Sequence, residues 1–140
     1  MATKSITVHL KDNSSLPVRS SSGAAAYDLT AHKHYTLKPG KTTLVDLNLA
    51  ISIPPGFYLQ LHSRSSLALQ GITTLGGVID SDYRGSVQAI LYNLSDKKVF
   101  IKPNQRVTSG VFLPTIDVQF KYVNMLPSSI RGTAGFGSTD

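Results

Sequence analysis

Asp80, Asp82, Tyr83 and Arg84 place two carboxylates, a phenol and a guanidinium in one short stretch. A positioned carboxylate can activate a water as a general base, and a guanidinium can hold a phosphate. Gly76 and Gly77 open the stretch and Gly85 closes it. Val78 and Ile79 read as a short strand, and Ser81 and Asp82 are turn formers. Val87, Ala89 and Leu91 alternate with Ser86, Gln88 and Ile90, which reads as a second strand. The pattern predicts a β-hairpin with the four polar side chains at or near its tip. Taken alone, such a tip is more often simply polar, so the remaining chain must decide.

Three further groups could carry chemistry. His62-Ser63-Arg64-Ser65-Ser66-Leu67-Ala68 offers hydroxyls and a guanidinium beside backbone amides, which suits a phosphate cradle. It also suits the start of a short helix with Ser65 or Ser66 as N-cap. Near the C-terminus, Phe136 stands alone between Gly135 and Gly137, with Arg131, Ser138 and Thr139 nearby. A phenylalanine so placed cannot belong to a core strand, and the flanking residues are good phosphate partners. His32-Lys33-His34 would put two imidazoles on one face of a strand. No third ligand follows at a metal-site spacing, so a solvated strand edge is the reading preferred over a metal site.

The elements that must hold these groups are strands. Ser5–Leu10 alternates apolar and polar residues, and Lys11–Ser22 reads as loop. The alanines at 24–26 could begin a helix, but Tyr27, Leu29 and the β-branched residues downstream favour strand. Leu47, Leu49, Ile51 and Ile53 share one face up to the Pro54-Pro55-Gly56 turn. Phe57–His62, 97–102 and Arg106–Pro114 read as further strands, and Asp117–Val123 alternates as the last one. Turn signals recur at short intervals and no segment keeps a 3.6-residue period. The expectation is an all-β fold, a sandwich or closed barrel.

Composition narrows the functional classes. The chain has 140 residues and 41% hydrophobic residues, which suits one domain with one core. It has no cysteine, which excludes disulfides, thiol nucleophiles and cysteine-based zinc sites. Met1–Asn13 has no apolar h-region, and no apolar run is long enough to span a membrane, so neither a signal peptide nor a membrane anchor is expected. The net charge of +6 is spread singly along the chain. No direct nucleic-acid binding is expected from it; a basic surface equally suits a polyphosphate substrate.

Five segments, taken in order, resemble the motifs of the homotrimeric dUTP pyrophosphatases (dUTPases). The stretch from Gly77 to Gly85 matches every fixed position of the third motif, Gly-Val-Ile-Asp-x-Asp-Tyr-x-Gly. Ala24–Leu29 resembles the first, Ala-Gly-Tyr-Asp-Leu, with Ala26 in place of glycine. Residues 63–68 resemble the second, Pro-Arg-Ser-Gly-Leu-Ala, with Ser63 for proline and Ser66 for glycine. Retroviral members also carry Ser-Ser here; with the short chain, this points toward a viral member. Arg106–Pro114 resembles the fourth, Arg-Ile-Ala-Gln-Leu-Ile-Phe-x-Pro, with Ser109 for glutamine and Gly110 for leucine. Arg131–Thr139 resembles the fifth, Arg-Gly-x-x-Gly-Phe-Gly-Ser-Thr-Gly, which ends here on Asp140.

The resemblance implies a distorted jelly-roll or β-barrel of the dUTPase type over 1–129. It further implies a flexible glycine-rich arm, 130–140, that closes over the active site. The implied reaction is Mg2+-dependent hydrolysis of dUTP to dUMP and pyrophosphate, which limits uracil incorporation into DNA and supplies dUMP. Asp80 would activate the attacking water. Gly77, Val78, Ile79, Asp80, Tyr83 and Phe136 would hold sugar and uracil. Arg64, Ser65, Ser66, Arg131, Gly137, Ser138 and Thr139 would hold phosphates, with Ser109 as a fourth-motif contact shortened relative to glutamine. Asp28 would reach Mg2+ through water. The family's assembly implies a homotrimer with sites shared between chains, and an intracellular location in cytoplasm or nucleus, in the host cell for a viral member.

Two other readings follow from the same residues. The losses at Ala26 and Ser109 suit a dUTPase-fold protein with reduced catalysis that works by binding a partner protein. Arg-Ser-Ser-Leu-Ala also looks like dCTP deaminase, a relative with the same fold. The catalytic glutamate of that enzyme would fall on Ile90, and an aliphatic side chain cannot shuttle protons.

Overall fold

Alternating segments become strands here wherever a partner strand lies alongside, and only there. The computed structural model describes residues 2–11 and 16–138. Its strands are β1 (Thr7–Leu10), β2 (Tyr27–Thr30), β3 (Tyr35–Leu37), β4 (Thr42–Asp46), β5 (Leu49–Ser52), β6 (Phe57–Ser63), β7 (Ile72–Leu75), β8 (Val78–Ile79), β9 (Gln88–Asn93), β10 (Val99–Ile101) and β11 (Arg106–Pro114). One helical turn, α1 (Ser65–Ala68), joins β6 to β7. The all-β expectation holds, but the ladders form four sheets rather than one closed barrel: β2-β11-β6-β8, β4-β9-β7, β1-β5 and β3-β10.

The core gathers the inward faces of these strands, with Leu59 and Leu61 from β6, Ala89 and Leu91 from β9, and Leu49 and Ile51 from β5 all buried. Gly110 on β11 is part of that fit. A Cβ there would lie 2.8 Å from Leu59 Cδ1 and 3.3 Å from Leu29 Cδ1, so leucine side chains already fill the space that a larger residue would take. Ser63 has a similar logic. Its hydroxyl lies 2.9 Å from Thr73 Oγ1 and accepts the Thr74 N–H at 2.9 Å, tying β6 to β7 where a proline could make neither bond.

Four expectations need correction. The stretch around Asp80 is not the tip of a β8–β9 hairpin. β8 pairs with β6, whereas β9 pairs with β4 and β7. Gly76 (φ +61) and Gly77 (φ +102) turn the chain out of β7 and across to another sheet. Asp117–Val123 is not a strand. After Pro114 the chain meets no free strand edge of its own, and Val118, Phe120 and Tyr122 are exposed. His32-Lys33-His34 lies in a bend between β2 and β3 rather than on a strand. The His32 N–H instead donates to the Asp46 carbonyl at 2.9 Å. Finally, neither Ser65 nor Ser66 caps α1: Arg64 holds the N-cap position in an extended conformation, with no side-chain cap.

Candidate functional site

The first cluster is built by strand register. On β11, Ser109 stands opposite Asp28 of β2 on one side and His62 of β6 on the other. Directly opposed residues point to the same face, so the three side chains form a row. β6 ends one residue before Arg64, whose Nε comes within 3.5 Å of Asp28 Oδ1. Arg106, at the start of β11, brings Nη1 within 3.6 Å of Asp28 Oδ2. Arg64 also donates to Ser66 Oγ at 2.5 Å. The row is braced from behind, where Thr108 Oγ1 donates to the His62 carbonyl at 2.7 Å. One carboxylate between two guanidiniums leaves the ledge net positive. Together with the exposed hydroxyls of Ser65 and Ser66, it is suited to an anion.

The second cluster is a cleft of about 170 Å3 lined by Val78, Ile79, Asp80, Tyr83, Ser86 and Gln88. Its backbone is pressed against β6. Leu61 N–H donates to the Gly77 carbonyl at 2.8 Å, and Gln60 Nε2 donates to the Leu61 carbonyl at 3.1 Å. A Cβ on Gly77 would fall 2.8 Å from the Leu61 carbonyl oxygen, so only glycine fits this approach at its positive φ. The Tyr83 phenol donates to the Ser86 carbonyl at 3.0 Å. The ring folds over Gly85, where a Cβ would collide with the phenol. Arg84 is spent on the turn itself, donating to the Ser81 carbonyl at 2.7 Å.

The two clusters do not meet within one chain. Ile79 stands opposite Leu59, three residues along β6 from His62, or about 10 Å at strand rise. Since β8 is antiparallel to β6, Asp80 continues away from the arginine ledge. Among the described residues, the tail joins neither cluster. Its hydrogen bonds among the described residues are local, such as Arg131 Nε to the Ala134 carbonyl at 2.7 Å and Gly135 N–H to Ser138 Oγ at 2.6 Å. Phe136 is fully exposed at φ +52, and Gly137 also has positive φ. Thr139 lies outside the described residues.

Arg106 and His62 were not singled out as site residues from sequence. Arg106 opens the fourth motif, a signal that was available; His62 becomes visible only through the β6–β11 register. A third group, Lys11, Asp46 and Ser86, is also brought together by the fold. Burial pushes the Asp46 carboxyl up. Hydrogen bonds from Lys11, the Asn48 N–H and Ser86, with the charge of Lys11, outweigh this and hold it below the ordinary aspartate value.

A metal fit was tested on the donors present. Among the described residues no three histidine or acidic side chains converge. Asp28, flanked by two arginines, suits a cation that arrives already coordinated by phosphate oxygens and water, as Mg2+ usually is. Among the described residues, no helix is long and apolar enough to cross a membrane.

The dUTPase family model matches residues 12–140. A Hydrogenobaculum deoxyuridine 5'-triphosphate nucleotidohydrolase is 37% identical over 140 residues, covering 97% of each chain. Among solved structures, a Staphylococcus bacteriophage 80alpha dUTPase variant with dUpNHpp superposes with a TM-score of 0.88 at 23% identity, covering 98% of this chain and 99% of that one. A variant dUTPase from phage phi11 of S. aureus, described with a structural Mg(II) ion, has a TM-score of 0.82 at 20% identity, covering 89% of this chain and 100% of that one.

Proposed function

The chain belongs to the dUTPase family, and from that premise we propose that it hydrolyses dUTP to dUMP and pyrophosphate. The observation that carries this reading is the cleft between β8 and β9, where an exposed carboxylate, Asp80, and a pinned phenol ring, Tyr83, share one small pocket. Asp80 accepts a proton from the water that attacks the α-phosphorus, a role worth about 10²–10⁴-fold in rate. Tyr83 packs under the deoxyribose and leaves no room for a 2′-hydroxyl. Main-chain groups either side of Gly77 read the uracil edge, and their close backing by β6 keeps them in place. Exclusion of the thymine methyl adds about 1–3 kcal/mol of discrimination.

Arg64, Ser65, Ser66 and Arg106 hold the phosphates, with Ser109 and His62 on the adjoining row. Mg2+ brought in on the triphosphate would supply charge neutralisation, and Asp28 is the residue that would meet it. The arm, residues 130–140, folds over the site with Phe136 on the base and Arg131, Gly137, Ser138 and Thr139 at the phosphates. Its glycines give the backbone the freedom to do so. The reaction places the protein with the nucleotide pool inside a cell, in the host for a viral member.

A homotrimer with shared sites accounts for the separation of the clusters. Residues 116–126 carry Ile116, Val118, Phe120 and Tyr122 exposed on alternating positions. An open apolar groove of about 440 Å3, lined by Ile6, Val8, Ile51, Phe57 and Phe112 among others, is of the right character to receive such a segment from a neighbouring subunit.

The direct test is pyrophosphate release with Mg2+ from dUTP, dTTP, dCTP and UTP. Release from dUTP alone supports the reading. Release from none overturns catalysis and leaves a binding module. Sharing is tested by mixing impaired Asp80→Asn and Phe136→Ala chains and reading recovery above the activity that each variant keeps alone. If each site draws these residues from different subunits, about a quarter of sites regain both on random reassembly; no recovery means each chain completes its own site.

A further inference from the structure

We propose that Lys11, Asp46 and Ser86 act as a positioning relay that fixes the orientation of the Tyr83 ring, and through it the preference for deoxyribose over ribose. The second half of this statement rests on the placement of Tyr83 under the sugar.

The relay is assembled from three distant parts of the chain. Lys11 follows β1, and its Nζ donates to Asp46 Oδ2 at 2.7 Å and to Ser86 Oγ at 2.6 Å. Ser86 Oγ donates in turn to Asp46 Oδ1 at 3.0 Å. Asp46 ends β4 and is itself held on two sides. Its Oδ1 accepts the Asn48 N–H at 2.8 Å, and its own N–H donates to the Tyr35 hydroxyl at 3.0 Å. The residue after Ser86 is locked as well, since Val87 N–H donates to the Leu49 carbonyl at 2.8 Å and its carbonyl accepts the Leu47 N–H at 3.0 Å. Ser86 is therefore anchored by its side chain and by its neighbour's backbone.

What Ser86 presents to the cleft is its carbonyl, and that carbonyl accepts the Tyr83 phenol at 3.0 Å. Tyr83 is half-exposed, with its ring lying over Gly85. The absent side chain at Gly85 lets the ring lie down, and the Ser86 carbonyl decides where it stops. An ion pair that only tied strands together would not need the serine hydroxyl as its third member. Here the hydroxyl is shared between Lys11 and Asp46, which fixes the serine that holds the phenol. The ion pair is mostly shielded, with the Lys11 and Asp46 side chains 35% and 18% exposed.

The test compares wild type with Ser86→Ala, Ser86→Thr, Asp46→Ala and Tyr83→Phe. Asp46→Ala also strips the acceptor of the Asn48 N–H and risks misfolding, so Ser86→Ala is the primary variant. Two readouts are taken. Steady-state kinetics with dUTP and UTP give the ratio of kcat/KM for the two sugars. NMR of 13C-labelled tyrosine reports the Tyr83 ring directly, without any turnover. Tyr83→Phe, which removes the bond to the Ser86 carbonyl, is expected to lower the dUTP/UTP ratio about fivefold, the worth of one neutral hydrogen bond, and Ser86→Ala, which only loosens that carbonyl, by at most as much. They should act mainly through KM, and Ser86→Thr should restore the ratio. In Ser86→Ala the Tyr83 ring signals should move and broaden. Wild-type Tyr83 signals in both Ser86→Ala and Asp46→Ala would overturn the relay. A wild-type enzyme that leaves dUTP intact would sink the functional reading, while the NMR comparison would still decide whether the relay holds the ring.

Discussion

Replacing Gly77 by alanine should be among the most damaging single-methyl changes in this protein. Gly77 sits at φ +102, a conformation that alanine rarely adopts. The added Cβ would lie 2.8 Å from the Leu61 carbonyl oxygen and 3.2 Å from both Leu61 Cβ and Gln60 Nε2. The glutamine can swing away, but the carbonyl cannot. Leu61 is paired with Gly110 on β11, and its N–H is bonded to the Gly77 carbonyl at 2.8 Å. Backbone strain at such a dihedral costs on the order of 1–3 kcal/mol. Losing the Leu61–Gly77 bond costs about 1 kcal/mol more. The expected total is about 2–4 kcal/mol.

Gly56→Ala supplies the control. Gly56 has φ +90, yet nothing lies within 4 Å of its would-be Cβ. That variant should show only the dihedral cost. Urea unfolding of both variants, at one fixed protein concentration because an oligomer's stability depends on it, should give unchanged m-values. The Gly77 midpoint should fall below that of Gly56→Ala. Displacing this backbone should also raise KM for dUTP, since the same segment reads uracil. If Gly77→Ala is no less stable than Gly56→Ala, the steric argument against β6 is wrong.

Three other changes follow from the same geometry. Asp80→Asn should cut kcat by about 10²–10⁴-fold with an unchanged unfolding midpoint, because the residue is exposed; a loss under tenfold would assign the base elsewhere. Phe136→Ala should lower kcat/KM by about 5–150-fold, the worth of 1–3 kcal/mol of base stacking, and leave stability alone, since its ring is fully exposed. Stability should fall under acid partly through Asp46. Its folded-state pKa is lowered, so its contribution is present above the ordinary aspartate value of about 4 and is lost as pH falls below it. Denaturant midpoints from pH 7 to pH 3 should therefore drop less for Asp46→Asn than for wild type, and parallel curves would remove Asp46 as the source.

Local chemistry was readable where the needed residues are neighbours in sequence. The glycines at 76, 77 and 85, the turn at Ser81-Asp82 and the strand patterns of β6 and β11 all follow from short-range rules. The departures in the motifs were readable only as gaps. Their meaning came from packing: Ser63 bonds to β7, and leucines fill the space beside Gly110. Errors arose where a local pattern needed a distant partner. Val78–Ile79 alternates into β9 in sequence but pairs with β6 in space. Asp117–Val123 has strand periodicity without a strand of its own chain to meet.

By itself, the sequence determined the all-β class, the five ordered motifs and the residue types at which chemistry can occur, because periodicity and turn preference act over a few residues. Tertiary structure alone decided which of those residues meet. It set Asp28, Ser109 and His62 in one row, placed the Asp80 cleft away from the arginine ledge, and drew Lys11 and Asp46 onto Ser86, whose carbonyl holds the Tyr83 phenol. The reason is physical. Strand register and sheet order are set by burial summed over the whole core, and no short stretch of sequence contains that sum.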